Sequence, residues 1–128
     1  MSKFNAALFD LGSSQISIGI DIVEVERFNN IWNKKSFLKK IFTEKELKDC
    51  NKKISPGQSL AARFAVKEAV RKTIKDSVRF NQIETSNKKD GSPEVSFLNK
   101  KISQKYKAII SITHTKNIAQ AICLTFKI

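Results

Sequence analysis

"ISIGIDIV", residues 16–23, sets Ile16, Ile18, Ile20 and Ile22 on one side of the chain. A period of two is the mark of a β-strand. Asp21 then projects from the other face, near the strand's C-terminal end. Gly19 shares that face, and its missing side chain lets another element come close. A carboxylate beside a bare patch of strand invites a search for what packs there.

The elements after it follow from the same rules. Phe28, Ile31, Trp32, Leu38, Ile41 and Phe42 are the apolar positions of a helix that breaks near Ser36. Trp32 and the phenylalanines read most simply as core residues, or, for some of them in an oligomer, as residues of the subunit contact. "TEKE", residues 43–46, is a capping box that opens a short helix ending near Asn51. "SPGQ", residues 55–58, repeats the cap, with Pro56 in the first helical position. "RFNQIETS" is a strand, "KKDGSP" a turn in which Asp90-Gly91 supplies positive backbone angles and Pro93 stops the pairing, and "EVSFL" the returning strand. "NKKISQKYK" is a surface helix, and "AIISITHTKNIAQAICLTF" two strands about a turn near 115–117. Strands adjacent at the C-terminal end give an α+β fold, a largely antiparallel sheet packed with helices.

Composition bounds the chemistry. The 128 residues suit one domain, with 1–15 as an N-terminal extension, either a disordered tail or an extra edge strand. No apolar run matches a membrane span and no clean signal peptide opens the chain, so the expected setting is cytoplasmic, without membrane attachment. Cys50 and Cys123 form no C-x-x-C pair and read as free thiols. His114 is the only histidine, so a metal would be held by oxygen, which favours magnesium. The net charge of +12 calls for an anionic partner. Nucleic acid, a phosphate-rich cofactor, an acidic protein and a membrane surface all satisfy it.

"SLAARFAVKEAV", residues 59–70, belongs to the helix begun at Pro56. On a helical wheel Ala61, Ala62, Ala65 and Ala69 cover one side, and Arg63, Lys67 and Arg71 form a basic stripe. Glu68 lies beside the small residues. It is either a boundary residue paired with Lys72 at i, i+4 or half of a metal site whose other half is Asp21. In the second case Arg63, Lys67 and Lys72 would neutralise phosphate.

"GIDIVEVERF" (19–28) and "ARFAVKEAV" (62–70), in this order, resemble the two signature segments of the holo-[acyl-carrier-protein] synthase family of 4'-phosphopantetheinyl transferases. "FTEKEL", "DGSP" and "SITHT" (111–115) are similar to further segments of that family, and the resemblance runs from about Ile16 to the C-terminus. It implies the 4'-phosphopantetheinyl transferase fold. It also implies transfer of the phosphopantetheine arm of coenzyme A to a serine of apo-acyl carrier protein in fatty acid biosynthesis, with adenosine 3',5'-bisphosphate leaving. It further implies a requirement for Mg2+ and, as in the small bacterial members, a homotrimer with active sites between subunits. Residue by residue, Asp21 and Glu68 match the metal ligands and Lys72 a lysine near the transferring phosphate. Arg63, Lys67, His114 and Thr115 match positions around the coenzyme, and Arg27 a basic position facing the carrier protein. The proton acceptor for the serine stays open between a bound water and a carboxylate.

The chain departs from the family pattern at "TIKDSV" (73–78), which has no glycine, and Asp76 there brings negative charge toward the expected phosphate region. "SPE" stands where a lysine-proline pair is usual. Two rival readings are an inactive homologue that keeps the fold and a small basic nucleic-acid-binding domain. The second is disfavoured because the basic residues are scattered and one Tyr and one Trp form no stacking platform.

Overall fold

The computed structural model describes residues 15–128; the expectations for the N-terminal extension lie outside them. The strand at the opening stretch is β1, Ile16–Glu24. Next come two one-turn helices, α1 (Glu26–Asn29) and α2 (Lys35–Leu38), then α3 (Glu44–Asn51) and the long α4 (Pro56–Arg71). A 3-10 turn at Phe80–Gln82 leads into β2 (Ile83–Asn87), followed by β3 (Pro93–Phe97), α5 (Lys100–Lys105), β4 (Tyr106–His114) and β5 (Ile118–Lys127). β1, β5 and β4 form one antiparallel sheet in that order, and β2 and β3 a separate hairpin. The α+β reading with antiparallel pairing holds.

Strand register assigns each side chain to a face. Gly19 lies opposite Cys123 and Cys123 opposite Ile110; Asp21, Ala121 and Ile112 make the next row, and Val23, Ala119 and His114 the one after. This face packs against α4. Its small residues meet Ala61, Ala65 and Ala69, all fully buried, so helix and sheet approach closely. At Gly19 the approach is closest, because a β-carbon there would lie 2.2 Å from the Ala69 carbonyl oxygen. The other face carries Ile18, Ile20 and Ile22 of β1 with Ile122 of β5 and Ile109 of β4, all exposed.

A second packing centre is aromatic. Phe28 meets Phe42 at 5.9 Å and Phe64 at 5.4 Å between ring centroids, and Phe64 meets Phe80 at 5.3 Å. These contacts join α1, α4 and the 3-10 turn.

Four details differ from the sequence reading. The helix expected across 28–42 is two single turns, interrupted at 30–34 rather than at Ser36; Asn29, Asn30 and Asn33 are poor helix formers. Trp32 and Phe37 are exposed, not core. Ser55 makes no side-chain cap bond, and Pro56 alone marks the start of α4. In the hairpin turn only Gly91 has a positive φ, and Pro93 begins β3, paired with Asn87, instead of ending the pairing. The Thr43–Glu46 capping box forms with both of its bonds.

Candidate active site

Lys72 caps the C-terminal end of α4. Its ammonium donates to the Ile20 carbonyl at 2.8 Å and to Asp21 Oδ1 at 3.1 Å. Asp21 thus lies beside the last turn of the helix, and Glu68, four residues before Lys72, lies on the same helical stripe. The expected alternative, an ion pair between Glu68 and Lys72, does not form; Lys72 pairs with Asp21 instead. Glu68 is half-buried and its side chain makes no hydrogen bond or ion pair among the described residues. Two carboxylates on separate elements, one of them bonded to a half-exposed lysine, make a hard oxygen donor set. Such a set suits magnesium better than a softer metal. No cluster of three or more His, Cys, Asp or Glu side chains exists among the described residues, so other positions on such an ion would fall to water or phosphate oxygen.

A second feature lies on the other side of α4. A cleft of about 580 Å³ opens between the start of α4, the β2–β3 hairpin and β4, and is lined among others by Lys52, Lys53, Gln58, Arg63 and His114. Arg63 enters it from α4. Its Nη1 donates to the carbonyl and hydroxyl oxygens of Thr85 at 2.8 and 2.9 Å. His114 enters from the end of β4. The Gln58 amide nitrogen bonds to the Thr115 carbonyl at 2.9 Å and to His114 Nδ1 at 3.2 Å. The carbonyl can only accept, which fixes the orientation of the amide, and an amide nitrogen can only donate. Nδ1 is therefore the acceptor and the neutral ring carries its proton on Nε2.

Arg63 and Glu68 are five residues apart, about 140° around the helix. Asp21 and His114 stand on opposite edge strands of the sheet, two strand spacings and one register row apart, about 12 Å across β5. One chain therefore groups Asp21, Glu68 and Lys72 on one side of α4 and Arg63 and His114 on the other.

The remaining expected site residues fall elsewhere. Lys67 does not line the cleft; it stands behind it, bonded to Glu46, so of the two expected places, lining or supporting the coenzyme pocket, only the supporting one fits. It is fully buried, and its three N–H bonds are committed to Glu46 Oε1 at 2.7 Å, the Phe80 carbonyl at 2.9 Å and the Ile83 carbonyl. Burial pushes its pKa below the ordinary value while Glu46 opposes that shift. The expected basic stripe is thus split, since Arg63 and Lys67 are buried and Arg71 is exposed over the Phe80 ring. Thr115 serves the β4–β5 turn, its hydroxyl accepting from the Asn117 and Ile118 amides at 3.3 and 3.2 Å. Arg27 is exposed on α1, with its guanidinium 5.6 Å from the centre of the Phe64 ring. Asp76 does not project bare charge. The Tyr106 hydroxyl at 2.6 Å and Lys105 at 3.0 Å hold it, and together they keep its carboxyl below the usual range.

Sequence reasoning missed Glu46, Gln58, Thr85 and the Lys52–Lys53 doublet. The doublet beside the helix start was the one visible signal. Glu46 was legible only as a capping residue, since a capping box says nothing about burial.

A family model for the 4'-phosphopantetheinyl transferase superfamily matches residues 17–123. A holo-[acyl-carrier-protein] synthase of Thermodesulfovibrio yellowstonii is 46% identical over 110 residues, covering 81% of this chain and 92% of the relative. One from Caldicellulosiruptor saccharolyticus is 40% identical over 118 residues, covering 87% and 96%. Among solved structures, a Bacillus anthracis holo-(acyl-carrier-protein) synthase in complex with CoA (3',5'-ADP) superposes with a TM-score of 0.74 at 30% identity, covering 88% of this chain and 98% of that one. The Helicobacter pylori holo-[acyl-carrier-protein] synthase in complex with coenzyme A gives 0.70 at 27% identity, covering 84% and 97%. With antiparallel strands on a small-residue helix and the two signature segments meeting at Gly19 and Ala69, this chain belongs to the holo-[acyl-carrier-protein] synthase family of the 4'-phosphopantetheinyl transferase superfamily.

Proposed function

We propose that this chain transfers 4'-phosphopantetheine from coenzyme A to a serine of apo-acyl carrier protein. The observation that carries the reading is the meeting of Asp21 with Lys72, one helical turn from Glu68. The serine oxygen forms a bond to the phosphorus that bears the pantetheine arm. The bridging bond of the pyrophosphate breaks, adenosine 3',5'-bisphosphate leaves with the electron pair, and the hydroxyl proton is released. Attack on a pyrophosphate needs charge neutralisation and in-line placement more than a strong base. Asp21 and Glu68 would hold Mg2+, which supplies a positive charge to the phosphate oxygens. Lys72 exchanges its contact with Asp21 for the transferring phosphate, and its half-exposed side chain leaves it free to do so. Arg63 and the Nε2–H of His114 bind the anionic end of the coenzyme. Arg27 and the basic surface steer the acidic carrier protein. With that acceptor, we read the reaction as a step of fatty acid biosynthesis in the cytoplasm.

The active form is a homotrimer. Two observations support it. The halves of the site lie on opposite sides of α4, so a neighbouring copy has to complete each one. The isoleucine face of the sheet is apolar and exposed in the isolated chain, as an interface between copies would be.

The test is an intact-mass measurement of apo-acyl carrier protein incubated with this protein, coenzyme A and Mg2+. A gain equal to one phosphopantetheinyl group, abolished by a chelator, is expected. No gain, with a carrier protein that another synthase modifies, overturns the reading in favour of an inactive homologue.

A further inference from the structure

We propose that Glu46 is a positioning residue for Arg63, acting through the Thr85 hydroxyl. This rests on the reading of the Arg63 cleft as the coenzyme site. Glu46 sits on α3 and is fully buried. Its Oε2 accepts from the Thr85 amide at 2.9 Å and the Thr85 hydroxyl at 2.6 Å. A carboxylate can only accept, so the hydroxyl proton is committed to Glu46. The hydroxyl lone pairs are then left to face Arg63 Nη1, 2.9 Å away. The order of donation is fixed from Arg63 to Thr85 to Glu46.

The consequence for Arg63 is directional. Nη1 donates to both the carbonyl and the hydroxyl oxygen of Thr85. Nε and Nη2 have no partner among the described residues, and no buried side-chain nitrogen or oxygen there lacks one, so these groups open toward the cleft. The relay holds the back of the guanidinium and presents its remaining donors to a phosphoryl group.

Charge points the same way. Lys67 at 2.7 Å gives Glu46 a countercharge of its own. The carboxylate therefore orients Arg63 without neutralising it, and the trio keeps one net positive charge for an anion. Glu46 Oε1 also accepts from the Thr43 amide at 3.0 Å, which ties this arrangement to the start of α3.

Glu46→Gln is the direct test. Where its loss of the Lys67 countercharge prevents folding, Thr85→Val, which leaves that pair intact, carries the test. Coenzyme A affinity is read by calorimetry, with KM and kcat from the mass assay. Loss of a hydrogen bond to a charged group predicts about a tenfold rise in Kd and KM for coenzyme A, with the smaller part of the loss in kcat. Thr85→Ser is expected to restore affinity, and Thr85→Val is expected to add little in an Arg63→Ala background. A Thr85→Val protein that melts lower but binds coenzyme A like the parent overturns the positioning role alone. So does an effect that persists undiminished without Arg63. A parent protein that binds no coenzyme A overturns the functional reading, and this proposal with it.

Discussion

Gly19 and the Ala69 carbonyl are in such close contact that a β-carbon on residue 19 would stand 2.2 Å from the oxygen. The obstacle is backbone and cannot rotate away. Gly19→Ala is expected to push β1 off α4 and destabilise the protein by roughly 1–3 kcal/mol, the usual range for overpacking. Asp21 is two residues on, so transfer activity should fall further than stability explains. Urea denaturation alongside the mass assay checks both; a variant with parental stability would show that β1 has room to yield.

Asp21→Ala and Glu68→Ala are expected to abolish transfer and leave the oligomer intact. Neither carboxylate is part of the apolar packing. Light scattering and the mass assay on the same samples decide this, and full activity in either variant removes that residue from the metal site.

The buried ion pair behaves differently. Lys67→Met leaves the Glu46 charge without its partner in a dry interior, and a loss of about 3–5 kcal/mol is expected. Replacing Lys67 and Glu46 together by apolar residues is expected to cost less than the single change. Denaturant midpoints of the three proteins measure it.

Asp76 makes a pH prediction. The Tyr106 hydroxyl, and after it Lys105, hold the carboxyl below its ordinary range. A depressed carboxylate contributes stability above its unfolded pKa and loses it as pH falls through the folded one. Tyr106→Phe is therefore expected to melt lower than the parent at neutral pH, with the gap closing in acid. Melting temperatures from neutral to strongly acidic pH test it, and a gap that stays constant would assign the effect to packing.

Ile20→Lys places a charge on the exposed apolar face of the sheet. If the proposed trimer forms through this face, it is expected to dissociate and transfer to fall with it. Size-exclusion chromatography with light scattering reads the first effect and the mass assay the second. Monomers with undiminished activity would mean that one chain completes the site.

Much of this was legible in the sequence. The alternation from Ile16 to Ile22, the capping box at Thr43 and the proline at the start of α4 are local rules, and each produced its element. The pairing of Asp21 with α4 followed from Gly19. Lys67 was misread because a helical wheel ranks residues around an axis and knows nothing of what surrounds it. Its burial depends on Glu46, twenty-one residues earlier, and on carbonyls of Phe80 and Ile83. Trp32 was misread for the opposite reason: a large apolar side chain marks an interior only if some element covers it. Asp76 looked like a liability at the glycine-free turn because its neutralising partners, Lys105 and Tyr106, arrive from a distant segment.

The central strand of the main sheet also sets the order in which the protein can fold. Ile16 is opposite Phe126, so β1 waits for a partner made more than a hundred residues later. The β4–β5 hairpin can form locally, but β1 leaves the ribosome early, an unpaired ribbon with isoleucine at every second position. Long-range pairing of this kind is slow and leaves an adhesive strand exposed while synthesis continues. Recovery of folded protein should therefore be sensitive to translation speed and chaperone supply.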